Sequence, residues 1–378
     1  MNEKIAKKII LFVVNSDWFF LSHRLPIAKK AIEEGYEVGL LTEITSKRKE
    51  IEKYGIFVKD IKFKRGSTSI VKNLFLFIKI LKIFKSINPD LIHLVTIKPI
   101  IIGGIAAHFL RKSTKIVMSI SGLGFIFIEK GFKAFFRKII ILFFYKLVFI
   151  NKNIKVILQN KTDLQNICDY TNLAKEKTIL IEGSGVNLNK FKFSKIPKNK
   201  PIVLFPARLL SSKGIYEFIE AAKKLKGSAR FVIVGKHDLE ARKCINLKKL
   251  LNFENQGIIE YWGDSNDMPK IFEMSSIVVL PSYREGMPKS LLEAAACGRA
   301  VVTTDVPGCR DAILDGRTGI LVQLQNSSEL TNGIKKLLSN QKLLNKMGRE
   351  GRKLAENKFD INKVVKLHLE IYKNLLFT

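Results

Sequence analysis

Cysteine is scarce in this chain. Cys168, Cys244, Cys297 and Cys309 are the only four in 378 residues, with no C-x-x-C pair and no histidine at metal-ligand spacing. Neither a disulfide framework nor a zinc site is therefore suggested, and a reducing compartment fits. Acidic residues are few as well: 34 against 65 lysines and arginines leave a net charge of +31. Partners are expected to be anionic, whether nucleic acid, acidic lipid or a phosphorylated substrate. The abundance of Lys, Ile, Asn and Phe also matches a codon bias towards A and T. Ten prolines and 24 glycines are too few for a collagen-like or low-complexity chain.

Long apolar runs are missing too. Ile9 to Val14 falls short of the ~7–15 apolar residues of a signal peptide and runs into Asn15, Ser16 and Asp17 rather than small cleavage-site residues. Phe132 to Ile150 is greasier, but Lys133, Arg137, Lys138 and Lys146 interrupt it, whereas a spanning helix needs ~20 nearly uncharged residues. The expectation is a chain that is neither secreted nor membrane-spanning.

What is present suits two domains of ~100–200 residues, since 47% of the residues are apolar and each half can bury a core. Short β-branched runs alternate with helix-length segments from end to end, the pattern of parallel βαβ units. Strands are expected at Ile9–Val14, Tyr36–Thr42, Leu91–Thr96, Lys115–Ile120, Val156–Gln159 and Thr178–Ile181. The periodicity stops in the lysine-rich stretch between Asn187 and Pro201, which reads as a linker. A second series starts afresh, at Ile202–Phe205, Phe231–Val234, Ile258–Trp262, Ile277–Pro281, Ala300–Thr304 and Gly319–Val322. The fold class is α/β: two Rossmann-like, doubly wound domains, residues 1–190 and 191–360, facing across a cleft, with ligands at the carboxyl ends of the strands.

The stretch IVVLPSYREGMPKSLLEAAACGRAVVTTDVPG, residues 277 to 308, holds the densest chemistry. A buried strand ends at Pro281, a turn carries Glu285 and Gly286, and Pro288 is expected at the first helical position, where its missing N–H has no intrahelical partner to lose. Amides around Gly286 and Met287, with Lys289 and Ser290 in the first turn, suit an anion or sugar oxygens. Glu293 is then held inside the helix while Glu285 stays on the loop. In FPARLLSSKG, residues 205 to 214, Arg208 stands just past a strand end and Lys213 at the mouth of the next helix. Two cations there neutralise a diphosphate, Arg by a forked contact and Lys as a point charge.

R-x4-K at 208–213, PSYREGMP at 281–288, the E-x7-E pair Glu285 and Glu293, Ala295 to Gly298, and GVNLNKF at 185–191 together resemble the retaining glycosyltransferases of the GT-B fold, family 4. The resemblance covers nearly the whole chain. It implies a UDP-sugar as donor substrate, held mainly by the C-terminal domain, and neither metal nor other cofactor. Glu293 would bind the ribose hydroxyls, Glu285 the donor sugar, Arg208 and Lys213 the diphosphate, and amides near Gly286 to Pro288 the sugar; residues 361–378 would form a helix crossing back to the first domain. Departures are visible as well. Many family members carry a His where this chain has Ser121, the usual G-x-G turn reads Gly235-Lys236-His237, and Ala207 precedes Arg208 in place of Gly.

On the acceptor side the candidates are His23 and Arg24 in SHRLP, Lys98 after the third expected strand, and Ser121 with Gly122 in SGLGF; His93 reads as a hydrogen-bonded core residue. Gly122-Leu123-Gly124 matches part of a dinucleotide fingerprint, but no acidic residue about 20 positions on completes it. Residues 59 to 158 hold 19 basic and 3 acidic residues. Within them the Ser69–Ile87 and Phe132–Ile150 segments interleave Lys with Phe, Ile and Leu, as helices lying on an anionic membrane surface do. SHRLP, HLVTIKP at 93–99 and SGLGF look most like bacterial enzymes that add an N-acetylhexosamine, often N-acetylgalactosamine, to undecaprenyl-diphosphate-linked sugars for surface glycans such as O-antigen. The resulting expectation is a peripheral enzyme on the cytoplasmic face of the cell membrane with a lipid-linked saccharide as acceptor. A sugar-nucleotide epimerase of the same fold is an alternative. A nucleic-acid-binding protein is another, although no recognition motif supports it.

Overall fold

The computed structural model describes residues 7–63, 69–124, 131–238 and 243–377. The chain forms two units, one of residues up to Ser184 together with Val364 onwards, the other of Gly185–Lys363. The first is built on seven strands: β1 (Ile9–Val13), β2 (Glu37–Thr42), β3 (Phe57–Asp60), β4 (Leu91–Val95), β5 (Lys115–Ile120), β6 (Ile154–Leu158) and β7 (Thr178–Leu180). Their spatial order is β3-β2-β1-β4-β5-β6-β7, all parallel. β1 reads as a continuous apolar run, and β4 as one broken only by His93, because helices cover both faces of a parallel sheet.

The second unit contains β8 (Ile202–Pro206), β9 (Arg230–Val234), β10 (Glu260–Tyr261), β11 (Ile277–Leu280), β12 (Ala300–Thr304) and β13 (Gly319–Val322). The order is β10-β9-β8-β11-β12-β13, again parallel throughout. Two sheets of this kind are what the resemblance to the GT-B fold implies. β3 has no counterpart among the expected strands: it is a short edge strand with exposed Lys59 and Asp60, so no apolar run announces it. The strand expected from Val156 begins at Ile154. That expected over Ile258–Trp262 shrinks to the two residues that pair with Val232 and Ile233.

Helix ends follow local chemistry. In the helix Ile70–Ile87, Ser69 accepts from the Lys72 amide at its start, and Asn88 closes it in the left-handed region with Pro89 beyond. This helix and Phe132–Phe149 both pack against Ile97–Ala107. Each buries only a narrow stripe: Leu76, Ile80 and Phe84 in one, Ala134, Tyr145, Val148 and Phe149 in the other. Val71, Leu74, Phe75 and Ile78, and Phe132, Phe135, Phe136, Ile139, Ile140 and Phe143, are left exposed among Lys72, Lys79, Lys133 and Lys146. No helix of the described residues is long and apolar enough to cross a membrane.

The last helix, Ile361–Phe377, enters the first unit at Val364 and inserts a polar cluster into its core. The His93 ring is hydrogen-bonded to the Tyr372 hydroxyl at 2.5 Å and to the Ser119 hydroxyl at 2.7 Å, and all three are buried. His368 packs 5.8 Å from His93, centroid to centroid, and its Nδ1 hydrogen-bonds the Val364 carbonyl at 2.8 Å. Burial, with the Arg24 charge in range, pulls the His368 imidazole down to about 3 and His93 well below its ordinary value, so both rings are neutral.

A depressed histidine contributes stability that is complete above the unfolded value of 6.5 and is lost as pH falls towards the folded one. His368→Leu removes that proton linkage. Its unfolding free energy is expected to fall less steeply than wild type's between pH 6 and 4, by up to ~1.4 kcal/mol per pH unit. Urea titrations at several pH values read the slope, and identical slopes would refute the assignment.

Candidate active site

In the second unit the strand order reverses between β8 and β11: β9 lies to one side of β8, and β11 and β12 to the other. The carboxyl ends flanking such a reversal leave a crevice that no helix crosses. Arg208 and Lys213 follow β8, while Ser282 and Glu285 follow β11. The Lys213 ammonium donates to the Glu285 carboxylate, and the Ser282 hydroxyl donates to the same Oε1 at 2.7 Å. Ser282 was not among the expected site residues, although a serine three positions before a loop glutamate is a turn signal.

Three backbone features hold this cluster. Gly214, at φ 76°, lets the Lys213 turn lie against the end of β11; a Cβ there would come within 2.1 Å of the Pro281 carbonyl oxygen. The Tyr283 amide donates to the Ser212 carbonyl at 2.9 Å, tying the two loops together. Gly308, at φ 82°, lets the loop after β12 press on the Glu285 and Gly286 carbonyls, and the Glu285 amide donates to Pro307 at 3.2 Å.

Pro288 stands at the N-cap, at φ −72° and ψ 112°, rather than at the first helical position; the helix runs Lys289–Ala296. The helix starts one residue later than expected because Pro288 keeps an extended ψ. Glu293 is 8% exposed, one helical turn beyond Lys289, whose ammonium approaches it to 3.6 Å. Burial raises the Glu293 carboxyl, and Lys289 and then Lys190 offset part of that rise. Gly286 and Met287 are buried and Ser290 half-buried at the helix entrance. Arg208 is not beside Lys213's partner: its Nη1 donates to Asp238 at 3.0 Å, across the ends of β8 and β9. Asp238 carried no sequence signal, since only strand adjacency brings it to Arg208. Among the described residues, no three His, Cys, Asp or Glu side chains converge as a metal-binding group.

The first unit reverses its strand order between β1 and β4. Arg24 lies after β1, Thr96 and Lys98 after β4, and Ser121 and Gly122 after β5. Thr96 takes φ 72°, costly for a β-branched residue, and its buried Oγ1 has no hydrogen-bond partner. Arg24 meets Ser121 at 3.5 Å, so these two expected residues come together. The ring of His23 stacks on Phe19 at 4.1 Å. Lys98 is half-buried; burial lowers its pKa and Glu43 offsets part of the effect. Phe125 of the SGLGF stretch lies outside the described residues.

Comparison with known proteins finds a family match in each part of the chain. Residues 186–354 match the model for glycosyl transferases group 1, and residues 9–159 that for glycosyl transferase 4-like domains. An N,N'-diacetylbacillosaminyl-diphospho-undecaprenol alpha-1,3-N-acetylgalactosaminyltransferase of Campylobacter jejuni is 32% identical over 94% of this chain and 98% of its own. An Escherichia coli UDP-Gal:alpha-D-GlcNAc-diphosphoundecaprenol alpha-1,3-galactosyltransferase is 26% identical over 82% and 81%. Among solved structures, Anabaena HepE in complex with UDP superposes with a TM-score of 0.79 at 19% identity, covering 97% of this chain and 100% of that one.

Gly214→Ala tests the loop geometry. The left-handed φ alone costs ~1–2 kcal/mol with a Cβ present, and the overlap with Pro281 adds to it. Urea unfolding is expected to shift to lower midpoint by at least that amount, while Gly257→Ala, whose Cβ would meet nothing within 4 Å, loses only the backbone part. Equal losses would mean that the Pro281 contact does not hold the Lys213 turn.

Proposed function

Because the chain belongs to the group 1 glycosyltransferases of the GT-B fold, we propose that it moves an N-acetylhexosamine from a UDP-sugar to a polyprenyl-diphosphate-linked saccharide, retaining the anomeric configuration and using no metal. The observation that carries this reading is the convergence of Lys213, Ser282 and Glu285 at the β8/β11 reversal, one helix from buried Glu293. Relatives whose names specify diphospho-undecaprenol acceptors support the acceptor class. A solved structure of the same fold that contains UDP supports the donor class.

In this reading Glu293, held within a rigid helix, accepts hydrogen bonds from the ribose hydroxyls. Glu285, held by Lys213 and Ser282, does the same for donor-sugar hydroxyls. Lys213 and Arg208 face the diphosphate, the leaving group on which negative charge grows as the glycosidic bond breaks. Their present carboxylate partners, Glu285 and Asp238, keep both cations in place until the diphosphate competes for them. Holding the acceptor hydroxyl against the anomeric carbon removes the entropic part of the barrier, and prearranged cations stabilise the departing charge. A carboxylate committed to a lysine and a serine is poorly placed to attack carbon, so displacement on the same face is favoured over a covalent intermediate on Glu285.

The exposed Phe and Ile residues of Ile70–Ile87 and Phe132–Phe149, interspersed with lysines, suit an anionic bilayer, where the lipid-linked acceptor resides. Each basic residue near such a surface contributes ~1 kcal/mol. The enzyme then works as a peripheral protein on the cytoplasmic face of the cell membrane.

Two measurements test this. With a panel of UDP-sugars and a soluble polyprenyl diphosphate saccharide analogue, in the presence of chelator, Glu293→Ala is expected to weaken nucleotide-sugar binding about tenfold or more. Glu285→Ala is expected to lower turnover with a smaller effect on UDP affinity. Wild-type turnover in both variants would sink the site assignment, and complete loss with EDTA the metal-free one. In flotation assays, a Phe135→Ser, Phe136→Ser, Phe143→Ser variant is expected to leave vesicles containing phosphatidylglycerol that retain the wild type. Equal recovery of wild type with neutral and anionic vesicles would argue against the membrane surface.

A further inference from the structure

Arg24 lies between the helices Asp17–His23 and Leu25–Glu33, just past the carboxyl end of β1, and is only 2% exposed. Its Nη1 donates to the His23 carbonyl at 3.0 Å and to the Ser184 hydroxyl oxygen at 3.3 Å. Its Nη2 donates to the Ser121 hydroxyl oxygen at 3.5 Å, and its buried Nε has no hydrogen-bond partner. Among the described residues no carboxylate pairs with it. The groups electrostatically coupled to it are Tyr372, His93 and His368, all neutral. Burial pulls the guanidinium down to about 10, which leaves it charged at neutral pH.

A buried charge without a counter-ion is costly, and removing one from water is repaid only by a partner of opposite sign or a full set of hydrogen bonds. Arg299, the other deeply buried arginine among the described residues, shows the ordinary solution. It donates to the Phe272 carbonyl at 2.9 Å and to Ser194, and the Glu273 carboxylate lies within electrostatic range. Arg24 has no such charge. What it has is two hydroxyls whose oxygens it already occupies, which leaves each O–H to donate elsewhere. Ser121 is half-exposed after β5, and its neighbour Gly122, at φ 113°, has no side chain to cover it. Hydroxyl donors backed by a fixed positive charge match phosphate oxygens.

We propose that Arg24, Ser121 and Ser184 form a phosphate subsite in the first unit. Its occupant, on the reading of the acceptor given above, is the diphosphate of the lipid-linked saccharide. The serine hydroxyls touch the anion; Arg24, lying behind them, is a positioning residue that supplies the charge and donates one hydrogen bond to each hydroxyl oxygen. The same arrangement explains how a serine serves where other members of the resembling family carry a histidine: this hydroxyl is a donor to an anion and not a base.

The test uses the full chain with saturating UDP present, so that the cations of the second unit are occupied. The readouts are the shift in melting temperature on adding inorganic pyrophosphate and the KM for a soluble polyprenyl diphosphate saccharide analogue. Wild type is expected to be stabilised by pyrophosphate. Arg24→Gln should lose that shift and raise the acceptor KM about tenfold or more, with UDP affinity unchanged, and Arg24→Lys should restore part of both. Ser121→Ala, at the exposed rim, weakens pyrophosphate binding in a protein that still folds, and carries the test if Arg24→Gln does not fold. Wild-type pyrophosphate shifts and acceptor KM in folded Arg24→Gln or Ser121→Ala protein would overturn the subsite. Arg24-dependent pyrophosphate binding in an enzyme that transfers to no diphosphate-linked acceptor would uphold the subsite and remove the acceptor reading instead.

Discussion

The reversal of strand order between β8 and β11 is the constraint on which the second unit's chemistry depends. A parallel sheet has all its carboxyl ends on one edge, and where successive crossovers turn to opposite sides, two loops are left facing each other without a helix between them. In this chain those loops carry Arg208, Lys213, Ser282 and Glu285. Gly214 and Gly308 allow the loops to touch, and the backbone bond from Tyr283 to Ser212 locks them. The buried helix Lys289–Ala296 then presents Glu293 from a frame that cannot shift without disturbing the core against which it packs.

The two units manage charge in opposite ways. At the β8/β11 reversal each cation already has a carboxylate: Lys213 holds Glu285 and Arg208 holds Asp238. An anionic ligand must there compete with an existing ion pair, which favours a group of high charge density such as a diphosphate. In the first unit Arg24 is buried against neutral oxygens and neutral rings, so the positive potential is not spent inside the protein. The net charge of +31 is therefore not an even coat. Part of it lies on the exposed faces of Ile70–Ile87 and Phe132–Phe149, and one element of it sits at the heart of a sheet edge.

The final helix ties the first unit's polar interior together. Tyr372 reaches His93 on β4, which reaches Ser119 on β5, so three elements far apart in the chain share one hydrogen-bonded line. With His368 beside them, the rings stay neutral and the cluster adds no counter-charge to Arg24. A polar line of this kind fixes the register in which the helix docks, a constraint that apolar packing alone supplies less sharply.

Much of this was legible in the chain itself. The alternation of β-branched runs with helical segments determined two parallel-sheet domains, because fully buried strands and amphipathic helices have different apolar periods. The spacing of R-x4-K and E-x7-E determined which residues end strands and which ride on a helix. Strand order was not legible, since nothing in a buried apolar run says which neighbour it pairs with. For that reason Asp238 beside Arg208, and the reversals at β1/β4 and β8/β11, became known only from the fold. The edge strand β3 escaped because its half-exposed residues carry no apolar signature. Ser184 came to Arg24 across 160 residues by tertiary folding alone. Which lysine-flanked phenylalanines face solvent was likewise decided by packing: helices dense in apolar residues on every side can bury only the stripe that meets the sheet and its neighbouring helix, and geometry selects that stripe.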